Sequence, residues 1–237
     1  MFSLVLAFIL AFSPGERLLY DIRYGPILVG SLELQVKPNI FWQGESCYHF
    51  QANLKSNPKL HQLFSIDDEL NSYVRKSDFA TLKSEKSIKE RNYQATSQAI
   101  FDYQQQRIIY SDSSTFPLQS QARDLLTTWY YCRTIDLKFG NDFSIPVHID
   151  KKNYQVKLPV TEVKTINLGN KKYHCAIIEP HTTPKSNIGS IYLSLDEHRY
   201  PIIIKNKIFL GELTAILKSI TTSQALKDSS KSNIKSQ

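Results

Sequence analysis

Four groups of residues in this 237-residue chain carry side chains able to do chemistry. Cys47 and His49 stand two positions apart, so in a strand they share a face, whereas the adjacent His174 and Cys175 would point apart. These are zinc-binding residue types. Four converging ligands are not set by the sequence, and cross-strand packing is the plainer account. Asp67, Asp68 and Glu69 are three consecutive acids, of which only Asp67 and Glu69 would converge in a strand. Two carboxyl groups about 5 Å apart in a cleft could hydrolyse a glycoside, but a solvated strand end explains the run more simply. Asp196, Glu197 and His198 read as a turn, with no Ser or Cys nucleophile at a recognisable elbow. The chain has no G-x-S-x-G, H-E-x-x-H, P-loop or dinucleotide-binding motif. The reading therefore leans away from an enzyme; no catalytic residue, metal or cofactor is expected.

The remaining group is richer. Trp129, Tyr130, Tyr131 and Arg133 follow one another on a helical pattern, and Arg199 stands far downstream. Aromatic residues on a helix laid across a curved sheet could line an apolar cavity. Arg133 or Arg199 at its mouth could then take a carboxylate, phosphate or sulfate. The competing reading makes the aromatics core and pairs Arg133 with a structural acid such as Glu179.

The elements that must position these residues are mostly strands. Leu18, Tyr20, Ile22 and Tyr24 alternate with polar neighbours, and Gly25-Pro26 breaks the run. Leu28, Gly30, Leu32, Leu34 and Val36 answer it, with Gly30 marking a bulge or a close backbone approach. Tyr48, Phe50, Ala52 and Leu54 continue the rhythm. From Lys83 to Arg91 both faces are polar, as suits an exposed or edge strand. Residues 119–133 break the period: Leu125, Trp129 and Cys132 fall at i, i+4 and i+7, predicting an amphipathic helix of about four turns. Strands resume from Val147 to Leu217. About a dozen strands and one helix predict a mainly β fold, a large curved antiparallel sheet or partly open barrel with the helix packed against it. No linker divides residues 14–222, so one domain is expected, followed by a disordered basic tail over 223–237.

Composition bounds the function. The net charge is +7, with 22% charged and 41% hydrophobic residues. The basic residues are spread rather than clustered along one stretch, which argues against nucleic acid. Residues 2–12, FSLVLAFILAF, are too short an apolar run to span a bilayer but suit the core of a secretory signal covering 1–13. Ala11 and Ser13 offer small residues around a cleavage point, although Pro14 would follow the cut and no Lys or Arg precedes the run. Export would allow one disulfide among Cys47, Cys132 and Cys175 with one thiol left over. All three buried as small apolar residues is the other reading.

In order and spacing several phrases resemble one bacterial family, the domain of unknown function 3108. They are GERLLYDIRYGPILVGSLELQV at 15–36, DLLTTWYYCRT at 124–134, FSIPVHIDKKNYQVKLPVTEVKTI at 143–166, HCAIIEP at 174–180 and IYLSLDEHRYPIIIKNKIFLGELTAILKSI at 191–220. The resemblance implies a secreted or periplasmic protein with a half-barrel sheet and no established activity. It also implies that Tyr20, Gly30, Arg133, Glu179, Arg199 and Pro201 are characteristic positions. Two functions follow as expectations. One is non-enzymatic binding of a lipid, acyl chain or anionic glycan in the envelope, through Arg133, Trp129, Tyr130 and Arg199. The other is an assembly role that docks a second envelope protein. A hydrolase ranks last, and a monomer is expected.

Overall fold

The computed structural model describes residues 11–60, 62, 65–182, 186–187, 189–208 and 211–222. The apolar run before Ala11 and the tail 223–237 lie outside the described residues. Among those described, sixteen strands join in one antiparallel sheet that is not closed into a barrel. The first eight are β1 (Arg17–Tyr24), β2 (Ile27–Trp42), β3 (Glu45–Ser56), β4 (Asp67–Arg75), β5 (Thr81–Glu90), β6 (Tyr93–Asp102), β7 (Arg107–Tyr110) and β8 (Thr115–Pro117). They lie side by side in chain order. The helix α1 (Leu125–Cys132) then crosses to β9 (Asp142–Ile149), β10 (Lys152–Leu168), β11 (Lys171–Ile178), β12 (His181–Thr182) and β13 (Ser186–Asn187). The chain ends in β14 (Gly189–Ser194), β15 (Pro201–Ile208) and β16 (Gly211–Thr221), and β16 returns to pair with β1.

The alternation read from the sequence sets which face is inside. Leu18 and Tyr20 of β1, Leu34 and Val36 of β2, Phe50 and Ala52 of β3 and Ile202 of β15 are almost fully buried on the concave side. α1 plugs one end of this concavity. Phe50 stacks on Tyr130 with ring centroids 3.8 Å apart, and the Phe12 ring stands edge-on to Tyr48, Phe50, Phe79 and Tyr130. Offset and edge-on rings add to plain burial, so this aromatic cluster is the densest part of the core.

α1 is shorter than the pattern over 119–133 predicts. Asp124 is its N-cap and accepts from the Thr127 amide at 2.7 Å. The residues before it are used sideways. The Ala122 carbonyl accepts from the Thr81 amide, the Arg123 amide donates to Pro146 and the Arg123 carbonyl accepts from His148. Backbone groups bonded laterally to two strands cannot also bond along a helix. Through these bonds the extended residues 122–123 tie β5 to β9. The Ser72 hydroxyl, bonded to the second oxygen of Asp124 at 2.6 Å, fixes how the helix is rotated. In consequence Leu126, Thr127, Tyr130 and Cys132 face the core, whereas Leu125, expected in the apolar stripe, is 38% exposed.

β5 also differs from expectation. It pairs with β4 on one side and β6 on the other, so it is not an edge. Its central residues Lys83 to Ile88 are only partly buried, which explains a polar pattern on both faces.

Candidate functional site

Away from α1 none of the described residues plugs the concavity. Along β1 burial falls steadily from Leu18, fully covered, to Tyr24, 41% exposed. The result is an apolar trough of about 560 Å³ at the open end of the sheet. β1 contributes Ile22 and Tyr24, β2 contributes Ile27, Val29 and Gly30, and β3 contributes Leu54, Lys55 and Ser56. Leu60, in the 3-10 turn Pro58–Leu60, and Ile66 form one wall; Ile208 and Leu213 of the β15–β16 hairpin form the other. The lining is almost wholly hydrocarbon. Ile27 at 54% and Ile208 at 39% exposed bring large apolar surface to its lip.

Gly30 shapes the floor. A Cβ at this position would lie 2.4 Å from the Lys55 carbonyl oxygen, so only glycine lets β3 approach this closely. The β1–β2 register shifts beside it, between Ile22 and Arg23. The rim is basic. Lys55 stands 3.4 Å from Asp67 across the surface, and the exposed Lys59 and Lys207 adjoin the lining residues Leu60 and Ile208.

The expected anchor residues lie elsewhere. Arg133 is 1% exposed, at the C-cap of α1. Its Nη1 donates to Glu16 Oε1 at 2.6 Å, and its Nη2 donates to Glu16 Oε2 at 3.0 Å and to the Ala11 and His198 carbonyls at 2.6 and 2.9 Å. Burial works against this charge, but the hydrogen bonds and opposite charge of Glu16 outweigh it and hold the guanidinium pKa above its ordinary value. The partner is thus Glu16, at the entrance to β1, and not Glu179, which is exposed beyond the end of β11. An acid joined to the start of the central strand can reach the helix cap, whereas one in the β11–β12 connection faces solvent.

Most of the other positions that the resemblance singled out gather around this pair. The Tyr20 hydroxyl donates to the Pro201 carbonyl at 2.9 Å. Arg199, in a left-handed turn with φ 48°, donates to the Ile135 carbonyl. The Arg133 guanidinium lies 5.4 to 5.6 Å from the ring centres of Phe12, Tyr130 and Tyr200. Tyr130 is buried against Phe50, and burial pushes its phenol well above the usual range. Trp129 is partly buried against the core. None of Arg133, Trp129, Tyr130 and Arg199 lines the trough. What these positions can do is pin: β1, the end of α1 and the β14–β15 turn are fastened at one point.

The other chemistry-bearing residues are dispersed. Glu69 accepts from Asn71, and Asp68 points inward to accept from the Lys89 amide at 3.0 Å. Asp196 Oδ1 caps its own turn, accepting from the Ser194 hydroxyl and the His198 and Arg199 amides. His49 stacks on Tyr73 and Cys47 is buried beside Arg75. The three cysteines are buried and free. Sequence reasoning missed Glu16 and the trough. The available signal for the trough was Ile27-Leu28-Val29, three consecutive apolar residues after a turn, where alternation had called for a polar one.

No curated protein matches the chain. Among solved structures, a beta-barrel-like protein of domain of unknown function 1849 from Brucella abortus is similar in fold. It has a TM-score of 0.59 and 7% identity, over 88% of this chain and 98% of that one. A Bacteroides fragilis protein with a YmcC-like fold is more distant, with a TM-score of 0.34 and 10% identity over 89% of this chain and 97% of that one. The likeness to the first of these, at 7% identity, carries fold alone. The model of the family described as "Protein of unknown function (DUF3108)" matches residues 19–218, and the chain belongs to that family.

Proposed function

We propose that the protein is a non-catalytic binding protein of the cell envelope that takes the hydrocarbon part of an anionic, single-chain amphiphile into the trough. The observation that carries this reading is the unplugged apolar concavity between Ile22, Val29, Leu54, Ile66 and Leu213. Its volume falls within the ~300–1,000 Å³ usual for ligand pockets. Among the described residues the lining holds no Asp, Glu, His or Cys, which suits binding better than turnover. The exposed Lys59 and Lys207, next in sequence to Leu60 and Ile208 of the lining, suit a carboxylate or phosphate head group left in water. The apolar run 2–12 supports placing this activity outside the cytoplasm.

The test is displacement of a fluorescent fatty-acid probe by saturated carboxylic acids of increasing length. Each buried methylene contributes about 0.8 kcal/mol, so two more carbons should tighten binding roughly tenfold until the trough is filled. Leu54→Asp should abolish the effect. Affinity independent of chain length, or unchanged in Leu54→Asp, would exclude this reading.

A further inference from the structure

We infer that the bond between Ser13 and Pro14 survives maturation, because residues 11–16 are a strap built into the fold. The expected signal would be cut there. Yet Ala11 and Phe12 are 4% and 5% exposed, members of the same core as α1. Four rings surround Phe12 edge-on, at centroid distances of 5.3 to 5.9 Å. The Ala11 carbonyl accepts from Arg133 Nη2 at 2.6 Å, one of the few acceptors within reach of that buried charge. The strap then joins the sheet: Glu16 N–H donates to the Ser13 carbonyl, Gly15 N–H donates to Val36, and Val36 N–H donates back to Glu16.

A cut after Ser13 would remove Phe12 from the middle of its aromatic cage and leave a cavity the size of a phenyl ring. It would also take away a carbonyl on which a buried guanidinium depends. Pro14, directly after that bond, independently makes it a poor substrate for a signal peptidase. Any processing therefore falls upstream of Ala11. The inference does not depend on what the trough binds.

The experiment is intact-mass analysis of the full chain, carrying a C-terminal tag, recovered from the envelope fraction of a bacterial host. A first residue at or before Ala11 is expected. A chain beginning at Pro14 overturns the inference. As a second measurement, Phe12→Ala in the full chain should melt roughly 10 °C lower than the parent, with Phe12→Leu in between. Identical melting of all three would show the ring is not part of the mature core and would also overturn the inference.

Discussion

The Tyr20 hydroxyl donates to the Pro201 carbonyl across 181 positions of chain, and in doing so reaches over β16 to join β1 to β15. Only a few residues away, Glu16 and Arg133 are paired across 117 positions. The first described residues, α1 and the closing strands thus meet at one buried point. Contacts this distant in sequence make slow folding the expectation.

Breaking the Glu16–Arg133 pair from one side strands a buried charge. Glu16→Ala should destabilise by about 3–5 kcal/mol, and Arg133→Met by a similar amount. With about 2–4 °C per kcal/mol in a chain of this size, each melts roughly 10 °C lower. Glu16→Ala combined with Arg133→Met should lose less than the two singles added together. Urea titration of the four proteins measures the coupling, and strict additivity would contradict a direct pair.

Gly30→Ala places a methyl group against the Lys55 carbonyl, 2.4 Å away before any adjustment. β3 must shift, at a cost of about 1–3 kcal/mol. Because the same two residues line the trough, probe affinity should fall with stability. Gly25→Ala, at a turn with open space around it but φ 54°, should cost stability with little change in affinity.

His148 supplies the pH dependence. It is 3% exposed; its Nδ1 faces Asn153 Oδ1 at 2.7 Å and its Nε2 faces the Tyr110 hydroxyl at 2.9 Å. Asn153 Oδ1 can only accept, so Nδ1 carries the proton and Nε2 accepts from Tyr110. Burial lowers the native pKa, with Asn153 opposing. The unfolded imidazole protonates near pH 6.5 while the native one still resists. Between the two values the unfolded state holds more protons, so stability is full above about pH 6.5 and falls as the pH drops through the lower native value. His148→Gln should flatten that slope in denaturant titrations between pH 7 and pH 5.

The cysteines should be silent in the native protein. Burial pushes the Cys175 thiol up to about 11 and the Cys132 thiol up to about 12, and raises that of Cys47. Alkylation at pH 8 followed by mass spectrometry should label none of the three within minutes in buffer and all three in guanidinium.

The strand rhythm made the concave face legible from Leu18 to Leu217, and Gly30 inside an apolar strand marked a bulge or a close approach, of which β2 shows both. Residues such as Arg133 and Arg199 stood out by type, but their partners did not. Nothing local links Glu16 to a helix cap 117 positions on. The helix start was misplaced because residues 122–123 bond laterally to strands brought near only by the bend of the sheet. The trough was invisible for a related reason: the same alternation describes a covered inner wall and an uncovered one. Which of the two a strand end becomes depends on where α1 comes to rest.

The stitch at residues 122–123 has a mechanical consequence. Between β7–β8 and the β9–β10 hairpin there is no ladder. This margin is held by a parallel bridge from Arg123 to Val147 and otherwise mostly through side chains: the Tyr110–His148–Asn153 chain, the Lys151 amide donating to the Tyr110 hydroxyl, Lys151 paired with Asp112, Gln155 donating to Gln119 and Asn153 donating to Pro117. Every other junction between long neighbouring strands carries a row of backbone bonds. A margin fastened mostly by side chains parts at a lower free energy than the laddered walls around it. The half-barrel is therefore sprung along one side, and its girth can change there while its strand order stays intact.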